Sequence, residues 1–584
     1  MTRKAQVALW LLAVVLVAGG GSVARAETVD GVMRLSVVYT NDLHGGIDPT
    51  GATFMNREFP PPLGGGASAA TYIEKLRERA RVEGGHVLLM DQGDIFQGTP
   101  VGNYRKGEAI VEFFNHVGLD EWTIGNHDFD EGFENLRHLI GLAQMPVISA
   151  NVVSADSGEP IEGVAPYIMK DYDGVKVAII GLTTTDTPKM AFPEHVGGIE
   201  FLPEIETLRK YVAEVREKGA DLVFVSGHLG LPYDPVVAYE ELMRSEEGRS
   251  VDAQEPVEER KWGPSAMEIV HEVPGVDVLF GGHIHRGFDN PWEEPSTHTL
   301  VFQTYGRGTG LGHVDLLIDR KTKAVVGYEL PSYRGGLITL FEDEWWPDDE
   351  ASALIDSMIA EAEQGMDEVI GTTEVDLTRG GEGETRMGNL VCDAMLEEVN
   401  ADFAFSNLGG IRDEIPAGTI TPRSVFRVLP FGNRLAVFEI DGRLLKEILE
   451  YRVSDDHHGL YIAGGKVVYS KRRADYDRVV KLEVGGEPWR PDKIYRVVTT
   501  DFLAAGNAGL YMLPGVPEEQ KMTTSTSDFD AVVRYVRRHS PINVQLDGRW
   551  ARDDEAAVDP ALAAAMEGME PIVPPADLEE GSYE

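Results

Sequence analysis

Cysteine is nearly absent: Cys392 is the only one in 584 residues, so no internal disulfide can staple this chain. It sits in the apolar run Leu390-Val391-Cys392 and reads as core. Positive charge is scarce as well. Against 97 Asp and Glu stand 53 Lys and Arg, giving a formal charge of −44. A surface of that sign repels nucleic-acid phosphates and anionic lipid, which argues against duplex binding. An anionic substrate would need a local cluster of cations. Long apolar runs are missing too, except for Val7 to Val17, which is too short to span a bilayer comfortably. Arg3 and Lys4 precede it and Ala24-Arg25-Ala26 follows it, the layout of a cleavable secretory signal over residues 1–26. The expectation is an exported protein, periplasmic or extracellular, with no stable membrane span after cleavage and no cysteine near the cleavage site to carry lipid.

What is present is an ordinary globular composition, 42% hydrophobic and 26% charged, in a chain too long for one core. From Leu35 onward short β-branched runs alternate with helical stretches. Strands are expected at 34–39, 86–90, 121–124, 175–180, 221–226, 276–280 and 300–303, and helices at 67–81 and 108–116. That alternation predicts an α/β layered fold. Residues 27–340 form the first domain in this reading. Residues 341–371 form a linker with a connecting helix over 351–366, a candidate hinge. Residues 372–550 form a second, smaller α/β domain, and 551–584 an acidic tail, poor in apolar surface and expected to be disordered. The charged stretch 245–261 reads as a solvated inserted loop.

Polar loops follow the C-terminal ends of the strands, the edge where α/β folds gather their sites. Five of these loops carry metal-type ligands: Asp42-Leu43-His44, Asp91-Gln92-Gly93-Asp94, Gly125-Asn126-His127-Asp128, Gly227-His228 and Gly282-His283-Ile284-His285. Each alone is an ordinary solvated turn. Five in succession, each closing a strand, point to metal. Carboxylate oxygen and imidazole nitrogen suit two divalent ions such as Zn, Mn, Co or Fe. Asp94 is the expected bridge between them. Asp42, His44 and His285 would complete one shell, and Asn126, His228 and His283 the other. If 283–285 is extended, its two imidazoles point the same way.

Thr40-Asn41-Asp42-Leu43-His44-Gly45, Gly93-Asp94, Gly125-Asn126-His127-Asp128, Gly227-His228 and Gly282-His283-Ile284-His285 together resemble the calcineurin-like metallophosphoesterase signature. Gln97-Gly98-Thr99 and Phe129-Asp130 are similar, more narrowly, to the bacterial 5′-nucleotidase branch. The resemblance implies an N-terminal four-layer α/β/β/α sandwich and a smaller C-terminal substrate-binding domain. It also implies that His127 is not a ligand but stands near the leaving group, oriented by Asp130. Asn407-Leu408-Gly409-Gly410-Ile411-Arg412 resembles the family's Asn-Gly-Gly-Gly-Ile-Arg loop, which assigns phosphate to Arg412, with Asn407 beside it. Arg379 and Arg386 are the alternatives for a second phosphate-binding arginine. Phe431 and Phe502 stand where the family places two rings around a base. Where the family usually carries an Asp for the ribose hydroxyls this chain has Ala508, with Asn507 as the nearest polar substitute.

The resemblance implies hydrolysis of nucleoside 5′-monophosphates by metal-activated water. The alternatives are a 2′,3′-cyclic phosphodiesterase, a UDP-sugar pyrophosphatase, a broad phosphomonoesterase and a binding protein on a degenerate phosphatase scaffold. The sequence leaves the metal, the preferred base and the oligomeric state open.

Overall fold

The computed structural model describes residues 31–567 and 569, apart from 57–58, 193–194, 252–262, 381–382 and 455–458, and without the side chains of 245–251 and 525. The expected signal segment 1–26 lies outside the described residues.

Side-chain alternation along the strands builds the first lobe. In Val32–Thr40, Leu35, Val37 and Tyr39 face one way and Val38 the other. In Val175–Thr183 the same alternation separates Val177 and Ile179 from Ala178, Ile180 and Leu182. The first set from each strand meets in a shared core with Leu88, Met90, Phe224, Phe280 and Phe302. Tyr39 lies 5.1 Å from Phe280, whose ring stacks on Phe302 at 5.5 Å. An eight-stranded and a six-stranded sheet therefore pack face to face. The outer face of the first carries the helices Gly65–Glu83 and Glu108–Val117, through Ile73, Leu76, Phe113 and Phe114. The outer face of the second carries Glu204–Glu217 and Ala266–Glu272, through Leu208, Val212, Met267 and Ile269. The result is a four-layer α/β/β/α sandwich.

Parallel registers bring the loops to one edge. Thr40 pairs with Asp91, and Asp91 with Trp122. In the other sheet Thr183 pairs with His228, and Ser226 with Phe280. Every segment with a candidate ligand thus leaves its strand at the same end.

The second lobe is a five-stranded sheet, Phe403–Ser406, Arg434–Asp441, Tyr461–Ala463, Ile494–Thr500 and Lys521–Ser527. Helices Arg386–Val399 and Asp528–His539 cover one face and Gly442–Val453 the other. A four-stranded sheet lies beside it.

Three expectations change. The connecting helix, Asp349–Ala362, buries Ala351, Ile355 and Met358 in the first lobe's helical layer, so the crossing between lobes is confined to the residues after it. The tail does not begin at 551. Trp550–Arg552 pairs in parallel with Gly465–Tyr469, and helix Pro560–Met566 buries Leu562 in the second lobe's core. A short Ala- and Pro-rich segment gave too little periodicity to reveal that one anchoring leucine. The helix Pro235–Val251 runs into the stretch expected to be a loop over 245–261, and 252–261 lies outside the described residues.

Candidate metal centre

The loops at this edge are held in unusual backbone. Asp42, His44, Asp94, His283 and His285 all have positive φ, between 46° and 75°. Such conformations are uncommon for residues with a Cβ, and they persist where the surroundings over-determine them, often at functional sites. Here the bracing is backbone hydrogen bonding past the strand ends: Asp42 N–H to Gly93 O (2.9 Å), His44 N–H to Asp94 O (3.0 Å) and Gly45 N–H to Ile95 O (2.9 Å). The buried Asp128 carboxylate accepts from Ile95 N–H (3.0 Å) and Gly125 N–H (2.8 Å), tying two ligand loops together. The 283–285 segment is not extended: both histidines have positive φ, and their rings part to opposite halves of the cluster, in line with their assignment to separate shells.

All seven candidate ligands converge. His44 Nε2 lies 3.0 Å from His285 Nε2, which is 3.4 Å from Asp42 Oδ1. In the other half, Asn126 Oδ1 is 2.9 Å from both His228 Nε2 and His283 Nδ1, and those two nitrogens are 3.2 Å apart. Asp94 Oδ2 faces both halves, 3.2 Å from His228 Nε2 and 3.9 Å from His44 Nε2. Asp42 Oδ1 also stands between them, 4.0 Å from His228 Nε2.

The donor set fits cations. His228 Nδ1 donates to Gln92 O at 2.7 Å, and His44 Nδ1 to Gln97 O at 3.0 Å. In the neutral, metal-binding form of the ring that leaves the Nε2 lone pair aimed into the cluster. There it meets other lone pairs, of Asn126 Oδ1, of Asp94 and of His285. Acceptor facing acceptor is unfavourable unless a cation sits between them, and backbone-oriented imidazoles of this kind are typical of metal ligands. Burial drives the rings of His44 and His285 toward the neutral form, with positive Arg412 and Arg307 nearby adding to the effect. Burial opposes the charged ring of His228 too, but with no cation there Asp94 and Asp42 outweigh it and raise its pKa to about 10.

His127 stands at the rim. Its N–H donates to Asp94 Oδ1 at 2.7 Å, and its Nδ1 pairs with Asp130 Oδ2 at 2.7 Å. Burial opposes the charged ring, but Asp130 and Asp94 outweigh it and raise its pKa. Phe431 of the second lobe stacks on His127, centroids 5.6 Å apart at 22°. The guanidinium of Arg412 lies 5.5 Å from the same Phe431 ring. Burial, together with Arg307 and Arg379, lowers the Arg412 pKa to about 10.

The other expected substrate residues divide. Arg379 reaches the Arg412 loop, with Nη1 donating to Ile411 O at 2.8 Å. Arg386 instead opens the helix Arg386–Val399 behind the Thr385 cap, its buried Nε unpartnered. Asn407 opens the Leu408–Gly410 turn. Phe502 meets Phe192 edge-on, centroids 6.1 Å apart. Asn507, the nearest polar substitute at the ribose position, gives one Nδ2 hydrogen to Phe502 O at 3.0 Å and keeps its Oδ1 as an acceptor. Ala508 is itself left-handed, with φ 52°. Sequence reasoning missed Arg307. Its N–H donates to Asp42 O at 2.7 Å and its Nη2 to Arg412 O. A basic residue between Gly306 and Gly308, just past a strand at the ligand edge, was the available signal.

Comparison with known proteins now bears on this geometry. Residues 35–287 match the calcineurin-like phosphoesterase family, and residues 369–515 match the C-terminal domain of 5′-nucleotidases. The chain belongs to the 5′-nucleotidase family. A snake venom 5′-nucleotidase from Crotalus adamanteus is 28% identical over 576 residues, covering 90% of each chain. A 5′-nucleotidase from Vibrio vulnificus is 28% identical over 556 residues, covering 88% of this chain and 92% of that one. The crystal structure of a 5′-nucleotidase precursor from Thermus thermophilus superposes with a TM-score of 0.74 at 27% identity, covering 90% of this chain and 100% of that chain. As a 5′-nucleotidase-family member the chain is a metallophosphoesterase hydrolase, and its calcineurin-like fold implies divalent metal.

Proposed function

We propose that the chain is an exported 5′-nucleotidase, hydrolysing nucleoside 5′-monophosphates to nucleoside and phosphate. The observation that carries this reading is the meeting of two unlike sets across the lobes: the ligand cluster from Asp42 to His285 on one side, Arg412 and Phe431 on the other. Asp42, His44, His285 and Asp94 would hold one cation, and Asn126, His228, His283 and Asp94 the second. Such a pair supplies an activated water and offsets phosphoryl charge. The protein's own groups do the rest. Arg412, assisted by Arg379, grips phosphate through a planar fork, the local positive site this acidic chain needs. His127, held by Asp130, is placed to donate a proton to the departing oxygen from its Nε2. Phe431 offers a flat face for a base. Export is supported by the Arg3–Ala26 layout.

A broader phosphomonoesterase is the second reading, favoured by one observation. Ala508 offers no polar side-chain atom where the family carries an Asp, and Asn507 already gives one amide hydrogen to Phe502 O, so the ribose contacts are fewer than that Asp would supply. Phosphate release with Mn²⁺ or Zn²⁺ should be measured on AMP, UDP-glucose, a 2′,3′-cyclic nucleotide and p-nitrophenyl phosphate. AMP is expected to lead. Comparable kcat/KM for AMP and p-nitrophenyl phosphate selects the second reading. No release from any of them by folded, metal-loaded protein overturns both.

A further inference from the structure

Two side chains of the first lobe reach across to backbone carbonyls of the second. Asn103 Nδ2 donates to Pro430 O at 2.9 Å, and Arg307 Nη2 donates to Arg412 O. Pro430 precedes Phe431, and Arg412 N–H donates to Val428 O at 2.8 Å, so the two receiving loops are tied to each other.

On the first-lobe side, both residues lead straight to the ligand loop Asp42–His44. Arg307 N–H donates to Asp42 O at 2.7 Å. The Asn103 amide accepts from Gly98 N–H at 3.0 Å and donates to Gln97 Oε1 at 2.6 Å, while Gln97 O accepts from His44 Nδ1 at 3.0 Å. Both amide hydrogens and the amide oxygen of Asn103 are thus used, one hydrogen on the other lobe. The segment around it is backbone-strained: Gln97, Arg105 and Lys106 all have positive φ, from 49° to 72°. Conformations of that kind persist when surrounding contacts over-determine them. Contacts made to carbonyls read position and not side-chain identity.

We infer that Asn103 and Arg307 are positioning residues that register the Arg412 and Phe431 loops on the Asp42–His44 half of the metal cluster. The inference rests on the proposed role of Arg412 in gripping phosphate. The two side chains act through the loops they hold, so their loss displaces the phosphate grip relative to the ligands without removing a ligand.

The test uses the full metal-loaded chain with Asn103→Asp, Arg307→Met and Arg307→Lys. Asn103→Asp keeps an acceptor for Gly98 N–H, loses both donors and sets an oxyanion against Pro430 O. Calorimetric Kd for inorganic phosphate, kcat and KM on AMP, metal content and Tm are read for each. Asn103→Asp and Arg307→Met are expected to weaken phosphate binding and raise KM about tenfold, the effect of one hydrogen bond to a charged or buried partner. Metal content should match the wild type, and Arg307→Lys should recover part of the loss. Phosphate affinity and KM within twofold of wild type in both variants overturn the inference, as do losses that only follow Tm or metal content. Should Asn103→Asp fail to fold, Arg307→Met decides alone. A wild type without turnover defeats the proposed function, and phosphate Kd then still decides this inference.

Discussion

Gly125→Ala is the smallest change that strikes the centre of the site. A Cβ built at Gly125 would lie 2.3 Å from both the backbone nitrogen and Oδ1 of Asp94, where ordinary contact begins at 3.4 Å. One of the two must therefore move by about 1 Å, and Asp94 has nowhere neutral to go. Its Oδ1 is held by His127 N–H at 2.7 Å, and its Oδ2 is 3.2 Å from His228 Nε2. The backbone at Gly125 is not left-handed, so space alone forbids the methyl group. Overpacking of this kind costs about 1–3 kcal/mol, and a 1 Å misplacement of a working group can cost on the order of a hundredfold in rate. The expected result is a modest fall in the urea midpoint with a drop in turnover of about a hundredfold, in metal content, or in both. Gly141→Ala is the control. Gly141 lies in the helix Phe133–Leu142 with nothing within 4 Å of a built Cβ, so the change should stabilise by roughly 0.5–1 kcal/mol and leave turnover alone. Wild-type metal content and turnover in Gly125→Ala would refute the placement of Asp94 at the heart of the site.

Two further outcomes concern stability. Glu121 is fully buried, and burial pushes its carboxyl up to about 8, so the folded chain holds a proton that the unfolded chain releases near the ordinary carboxylate pKa. Glu121 should then contribute a fall in wild-type stability of about 1.4 kcal/mol per pH unit from that ordinary value up to about pH 8, and Glu121→Gln should lack this component; parallel pH–stability profiles for the two would contradict it. Leu562→Ala, at a side chain 3% exposed in the second lobe's core, should cost about 2 kcal/mol or more in urea denaturation, whereas a disordered tail would show no change.

The ligand loops were legible because two local signals coincide there. Strand periodicity locates each edge, and short Gly-flanked Asp, Asn and His clusters mark it. The same logic gave the helix at Glu108–Val117 nearly to the residue. What stayed hidden depends on contacts distant in sequence. The long strand Gly310–Asp319, antiparallel to Val32–Thr40, starts at a glycine-rich stretch that weakens its strand signal. The helix Asp349–Ala362 reads the same whether it links lobes or packs on one, since its apolar face cannot name its partner. Whether 283–285 is extended stayed open in the sequence, because a left-handed turn is set by the ends it joins. That Arg379 reaches the Arg412 loop needed coordinates, as did the Asn103 contact with Pro430, which exists only where the lobes meet.

The most direct measurement is anomalous diffraction from crystals grown with Mn²⁺ or Zn²⁺. Two peaks about 3.5–4 Å apart are expected, one among Asp42, His44 and His285, the other among Asn126, His228 and His283, with an Asp94 oxygen between them. No peak in this cluster, or a single ion outside it with the seven side chains turned away, would contradict the metal centre and the hydrolytic reading built on it.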